Sequence, residues 1–537
     1  VYDVIVVGGG HNGLTCAAYL ARAGKRVLVL EAQPVVGGFV QTAETVAEAP
    51  GFKMSPYAIE HVLTNIPSSV VEELDLGRYG LRFVHPDPWA AWLHPDGASI
   101  RFWRDRARTV KEIAAFSPRD AARYDQFCQI LRDLWYTAAP YMQGHPRRPD
   151  PGMLVDIARR AAGTRRSLAP GARIALQSPA QVIEEWFEGD EIKAALGCYA
   201  ACSMASIDEP GTGILLSVTA VTHEWGARRC VGGAGEFTQA LARFVVAHGG
   251  DVRAASPVRE IVVRNGRAQG VVLDDGVEIT GEHVVAALAP TTLLTKLLDP
   301  SVVPDQTWAE LRGMQVCHNN ISVGKVDVAL SRRPRLPRHE GERDILTSTM
   351  LLAPHIDYVR RAMSGFQRGE LGDEIPMWVV MPSMLDRSIV PPGSDGDSLY
   401  IYLPALPYEL SGGATWADER DKFADRCLDI LDGYAPGLKG SVIGREPITP
   451  TDLAAHAPRG NLYHVDLSLA QMGPWRPIPS LAGYRTPVDR LWHSAAGAHP
   501  MGLQTGWSGR TTARTVLRAM RPARLPRARA ALRRASR

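Results

Sequence analysis

YDVIVVGGGHNGLTCAAYLARAGKRVLVLE, residues 2–31, carries the pattern on which the reading of this chain turns. Residues 2–7 form a short apolar, β-branched run, and an Ala/Leu-rich helical stretch follows the glycines. The order is therefore strand, glycine turn, helix. Gly8 permits the tight turn, Gly10 lets backbone approach a pyrophosphate, and Gly13 lets the helix pack on the strand. His11 and Asn12 stand between them, where the helix N-terminus offers N–H donors and a partial positive charge. A second apolar strand at 26–30 ends in Glu31, 18 residues after Gly13. A carboxylate at that position accepts hydrogen bonds from an adenosine ribose and argues against a 2′-phosphate. Strand, glycines, helix, strand and acid in register make a Rossmann-type dinucleotide site.

The sequence beyond this unit selects FAD over NAD. Ala32 follows Glu31 directly, and Gly37-Gly38 lets a loop run close to a ribityl or pyrophosphate group. Residues 250–287 read as strand, hairpin and strand with turns at Asn265-Gly266 and Asp275-Gly276, and Val258 opens a segment whose main chain suits an adenine edge. Near the other end, residues 490–497 resemble a strand meeting Gly497, and Gly506 opens a helix whose dipole suits the end of an isoalloxazine where negative charge grows. The two ends of the chain are thus expected to assemble one non-covalent FAD site. No second GxGxxG follows a strand, since Gly232-Gly233-Ala234-Gly235 lacks the spacing, so a separate NAD(P)H domain is not expected.

At 537 residues the chain exceeds what one core supports. The expected class is α/β: a discontinuous Rossmann-type FAD-binding domain (residues 1–101, 226–299 and 456–515) with an interleaved α+β substrate-binding domain (102–225 and 300–455). Segments 120–136 and 180–198 carry apolar residues at helical spacing, and 321–330, 377–381 and 398–403 read as strands. Loops rich in Pro, Arg and Gly are expected at 142–152 and 163–173, as plain solvated surface, a mobile lid or a basic lip against a membrane. The seven cysteines include no CxxC pair and no zinc spacing, which argues against dithiol chemistry and a metal site and fits a reducing, cytoplasmic setting. Val1 already belongs to a buried-strand pattern, so no signal peptide is expected ahead of it. No apolar run is long enough to span a bilayer. Net charge is +3, yet nine arginines and no acid lie between Arg514 and Arg537, so the remaining chain is acidic. The basic tail, residues 516–537, is a solvated end or a contact for anionic lipid headgroups. With an acidic body and no recognition motif, nucleic acid is not an expected partner.

The opening VVGGGHNGLTCAAYLARAGKRVLVLEAQPVVGG, the middle GGAGEFTQALARFVVAHGGDV and the ending LWHSAAGAHPMGLQTGWSGRTTA together resemble the phytoene-desaturase-like flavoproteins of the amine-oxidase superfamily. HNGL and AGAHPMG are most similar to the branch with carotene-ketolase-type and pyridine-nucleotide-disulfide-oxidoreductase-domain-containing proteins. The resemblance implies an FAD-dependent oxidoreductase that takes hydride from a C–H of an apolar or amphipathic molecule, such as an isoprenoid or secondary metabolite, with O2 or a quinone as acceptor. Oxidation of C–N bonds in an amine or amino acid is the alternative, and a non-catalytic lipid or prenyl carrier a lesser one. Lys325 lies in an alternating strand, where it is either a strand-edge lysine reaching solvent or, as the resemblance implies, a flavin-facing lysine that holds a water. His499 and His464 are the other candidate catalytic residues. Trp475, Tyr484 and Trp507 are candidate pocket walls.

Overall fold

The computed structural model describes residues 1–57, 69–502 and 504–521. Two sheets of seven strands each organise them. In the first, Tyr2–Val7 lies between Val27–Leu30 and Glu278–Ala286, parallel to both, with Asp251–Arg253 beyond Val27–Leu30. Leu491–His493 joins the C-terminal half of Glu278–Ala286, also in parallel. Buried parallel strands should read as unbroken apolar runs, and IVV and VLVL at the centre do so, with Ile5, Val6, Leu28 and Val29 fully buried. The hairpin strands Val258–Arg264 and Arg267–Leu273 extend the sheet antiparallel. Asn265 and Gly266 both take positive φ at their turn, the backbone state that an Asn-Gly hairpin supplies at low cost.

Helices His11–Arg22, Gly235–Ala247 and Trp507–Ala519 cover one face of this sheet. The first and last are separated by almost the whole sequence, yet their backbones touch. A Cβ on Gly509 would lie 2.2 Å from the Asn12 carbonyl oxygen, and one on Gly506 2.7 Å from Thr15 Oγ1. The two ends therefore form one layer because glycine lets them approach.

The second sheet runs Val442–Ile448, Ile321–Leu330, Asp397–Pro407, Met377–Val380, Thr349–Leu352, Ala90–Leu93, Ser99–Phe102. It is antiparallel throughout except where Thr349–Leu352 meets Ala90–Leu93. Helices cover it and share with it the largest apolar core. Several start at a Ser or Asp cap followed by proline, as Ser117-Pro118, Asp150-Pro151 and Ser178-Pro179 do. The α+β layer expected over the nucleotide domain is this sheet with its helices.

Three boundaries differ from the sequence reading. Strands Ala90–Leu93 and Ser99–Phe102 belong to the second sheet, so residues 90–101 are part of the cap; their short apolar runs carry no mark of which sheet they join. Residues 163–173 are not a loop. They lie mostly in the helix Arg165–Leu176, preceded by Pro151–Gly163, because their alanines, leucines and arginines outweigh Pro170 and the glycines. The last helix continues through Ala519, so the first residues assigned to the basic tail are helical. The tail beyond Arg521 lies outside the described residues. Among the described residues, no helix is long and apolar enough to cross a membrane.

Candidate functional site

A cavity of about 520 Å³ runs between the two layers, beginning where the first strand ends. Brought together at its mouth are Gly8, Gly10, His11, Asn12, Glu31, Ala32 and Gly38. Gly8 takes φ +104, open to glycine almost alone. Gly13 stands behind the wall, where an added Cβ would lie 2.1 Å from the Gly8 carbonyl oxygen. Its function is the close contact of helix and strand, as its place in the motif predicts. Gly37 bridges to Gly10, and a Cβ on Gly38 would lie 3.1 Å from Gly10 Cα. Two bare backbones thus face each other across a helix N-terminus that no side chain caps and whose first turn holds no acid. That is a cradle for an anion, and it fits a pyrophosphate.

Glu31 is held in place rather than left to rotate. One carboxylate oxygen accepts the Gly9 N–H at 2.7 Å and the other the Gln33 N–H at 2.9 Å. Each oxygen keeps a lone pair for a ribose hydroxyl. Ala32, Gln33, Pro34, Ser256, Val258 and Leu297 enclose the adjoining space, with Lys296 at its margin. Sequence reasoning found Val258 there but missed the segment 287–297. That segment follows the C-terminal end of a parallel strand, the edge where open α/β sheets bind ligands, and this signal could have found it.

The far end draws on both layers: Cys202, Met204, Tyr402, Leu462, Tyr463, His464, Ala495, Ala496, Gly502 and Gln504. Phe39, Tyr57 and His456 form an aromatic group on the flank, with Tyr57 Oη 3.2 Å from His456 Nε2. His464 is the one candidate catalytic residue that lines the cavity. Its backbone is left-handed at φ 63, and burial, with His493 and Arg476 nearby, pushes its pKa down to about 3. It is therefore a neutral imidazole at pH 7. Behind this wall the fully buried Arg476 donates to main-chain carbonyls, among them those of Asp466, Tyr463 and Ala496. It ties loop 463–476 to the strand end at Ala496. Removal from water lowers its pKa to about 9.

Lys325 and His499 are placed differently from the sequence expectation. The register sets Lys325 beside Tyr402, whose ring reaches the cavity, but the ammonium is used elsewhere. It pairs with Asp327 Oδ1 at 2.7 Å, donates to the Ser55 carbonyl and sits 4.4 Å from the Tyr400 ring centre. Both members of this pair are buried, and Asp327 also accepts from Thr45 Oγ1 at 2.8 Å. Lys325 thus fixes the chain that leads to Tyr57. His499 stands off the cavity, its Nε2 3.1 Å from the Tyr141 carbonyl, with a pKa lowered by burial to about 4. It joins the end of helix Pro118–Met142 to the C-terminal segment. Gly497 and Gly506 support the wall without lining it; a Cβ on Gly497 would press on His464 Cβ at 3.3 Å. The aromatic candidates also fall elsewhere. Tyr484 is buried and donates to the His499 carbonyl, Trp507 is buried in the nucleotide layer, and Trp475 is exposed.

This geometry agrees with comparisons to known proteins. Residues 6–70 match the NAD(P)-binding Rossmann-like domain, and residues 194–364 match the flavin containing amine oxidoreductase family. The chain is thus similar to the flavoproteins of the amine-oxidase superfamily. It is 29% identical to the pyridine nucleotide-disulfide oxidoreductase domain-containing protein 2 of Rattus norvegicus, over 96% of this chain and 93% of that protein. It is 24% identical to the lycopene-forming phytoene desaturase of Pseudescherichia vulneris, over 92% of this chain and 94% of the other. A solved structure of putrescine oxidase bound to putrescine shares the fold at a TM-score of 0.59 and 17% identity, covering 97% of this chain and 99% of that one. The protein is an FAD-dependent oxidoreductase. The cradle at residues 8–13 and 37–38, Glu31, and the long cavity beyond them fit that dinucleotide.

Proposed function

We propose that this flavoenzyme dehydrogenates an apolar or amphipathic substrate at a C–H bond, isoprenoid-like in size and character. The observation that carries the reading is the charge of the wall. Among the described residues that line the cavity, the only carboxylate and the only ammonium are Glu31 and Lys296, both at the adenosine end. The far end offers thiol, thioether, phenol, amide, aliphatic and neutral imidazole groups. A charged ligand placed there would lose hydration with no ion to replace it, whereas an apolar one is favoured by burial. FAD bound in the cavity supplies a two-electron acceptor for the hydride, with O2 or a quinone as the final acceptor. The protein's part is orientation and exclusion of water, with Tyr402, Tyr463 and Met204 shaping the space and His464 held neutral beside it.

The second reading is amine oxidation, favoured by the two tyrosines, Tyr402 and Tyr463, that reach the cavity together. Anaerobic titration of the yellow protein separates the two. Apolar isoprenoids are expected to bleach the flavin and amines to leave it oxidised. Bleaching by amines with release of ammonia, and none by isoprenoids, overturns the proposal.

A further inference from the structure

The helical hairpin formed by Pro151–Gly163 and Arg165–Leu176 turns polar as well as apolar side chains inward. Met153 and Ile174 are buried, and several polar side chains also face the protein. Arg160 pairs with Asp156 and donates to the Tyr136 carbonyl, Ser167 donates to Asp133, and Thr164 meets Thr137, all against the long helix Pro118–Met142. Other apolar side chains of the hairpin face outward. Leu154, Ala158 and Ala162 form one exposed row at i, i+4, i+8, and Leu168, Ala172 and Leu176 form another. Among the described residues, nothing covers either row. Leu176 continues the surface to a neighbouring loop: its carbonyl accepts from Gly211, against which Leu469 packs, and Trp475 closes the same loop. Leu154, Val155, Leu168, Leu176, Leu469 and Trp475 are each between 42% and 65% exposed. They account for half of the twelve large apolar side chains exposed among the described residues, so this is a concentration and not scatter.

The charge along this surface is mostly positive, although Arg173 is paired with Glu185. From residue 147 to 176 there are seven arginines and two acids, and Asp156 is already paired with Arg160. Arg148, Arg159, Arg165 and Arg166 flank the apolar rows, all exposed. The C-terminal helix lies beside the start of this segment, because Arg510 donates to the Gln143 carbonyl, and the neighbouring His145 Nδ1 accepts from the backbone of Arg147 and Arg148. From there the sequence adds arginines without an acid to Arg537.

We propose that this face is a docking surface for an anionic lipid bilayer. The apolar rows enter the headgroup boundary and the flanking arginines meet lipid phosphates, the division of labour of an interfacial amphipathic helix. A protein partner would be expected to meet some polar pattern on the outward rows, and they carry none.

The test is sedimentation of the full-length, FAD-loaded protein with vesicles of phosphatidylcholine alone and with phosphatidylglycerol added. Binding is expected only with the anionic lipid, and should weaken as salt rises. The triple variant Leu154→Glu, Leu168→Glu, Leu176→Glu should keep its flavin absorbance and Tm, because the three side chains meet solvent, and should lose vesicle partition by about tenfold or more. A chain ending at Arg521 should still bind, less tightly. The proposal is overturned if wild type ignores anionic vesicles, if the triple variant binds as wild type does, or if shortening the tail alone abolishes binding. A dimer in solution that the triple variant splits, without vesicle binding by either, would assign the face to a second copy of the chain instead.

Discussion

The two ends of the cavity are built on different plans. At the adenosine end the wall comes from residues that are neighbours in sequence: 7–12 and 30–41, with 256–258 and 287–297 laid alongside. Backbone supplies most of the recognition there, with one carboxylate fixed by two amides. The far end takes residues from six separated places, 57, 202 and 204, 402, 455–464, 495–496, and 502 and 504, and side chains supply the surface. A backbone-built end tolerates almost no added atoms. A side-chain-built end tolerates exchange and so can change substrate while the cofactor stays the same.

That contrast can be broken most severely at Gly13. Gly13→Ala sets a methyl 2.1 Å from a carbonyl oxygen in a helix-strand contact where both sides are backbone. The cost should be about 3 kcal/mol or more, seen as protein purified without flavin absorbance. If Gly13→Ala binds FAD normally, the rigid end is not rigid. Lys325→Met comes next. It leaves Asp327 buried and unpaired, which costs about 3–5 kcal/mol, read as a lower Tm. Joint replacement by Lys325→Met with Asp327→Leu should recover most of the loss. If turnover falls while Tm holds, Lys325 acts on the reaction after all.

Glu31→Ala should weaken FAD binding by about 1.5–3 kcal/mol, the worth of hydrogen bonds to a charged group, measured as FAD dissociation by fluorescence. The histidines near the far end predict the response to acid. His499 is lowered from 6.5 to about 4 in the folded protein. Between those values the unfolded chain binds the proton and the folded chain does not, so stability falls as pH drops from about 6.5 toward 4 and levels off below. His499→Gln should remove about 2 kcal/mol of the loss between pH 7.5 and 5, in urea midpoints taken at both. The smallest effect belongs to the flank. Tyr57→Phe gives up the contact to His456 and should change substrate affinity by less than about 1 kcal/mol.

The same contrast governs what could be read without coordinates. Gly8, Gly10, Gly13, Glu31, Gly37 and Gly38 were legible because each answers a local steric or charge demand at fixed spacing, and short spacing survives in the linear text. Asn265-Gly266 was legible for the same reason. Lys325 sits in the strand expected for it, Ile321–Leu330, but its partner Ser55 is 270 positions away. No local pattern announces such a pairing. Cys202, Met204 and Tyr402 were invisible because an apolar residue beside a ligand and one inside a core look alike until the packing is known. Residues 90–101 were counted with the nucleotide domain on the same grounds. Gly509 was missed although GWSGR repeats the glycine spacing of a close helix contact; its partner, Asn12, stands at the opposite end of the chain.

The parallel pairing of Glu278–Ala286 with both Tyr2–Val7 and Leu491–His493 bears on how the molecule comes into being. A ribosome delivers the first strand at once, its neighbour after about half of the chain, and the closing strand and helix only at the finish. Contacts of such sequence separation form late, and a nascent chain holding the glycine turn without Gly506 and Gly509 lacks the helix that packs against it. Flavin capture is then an event of the completed polypeptide, and any premature stop before the last helix yields a colourless product however intact its opening motif.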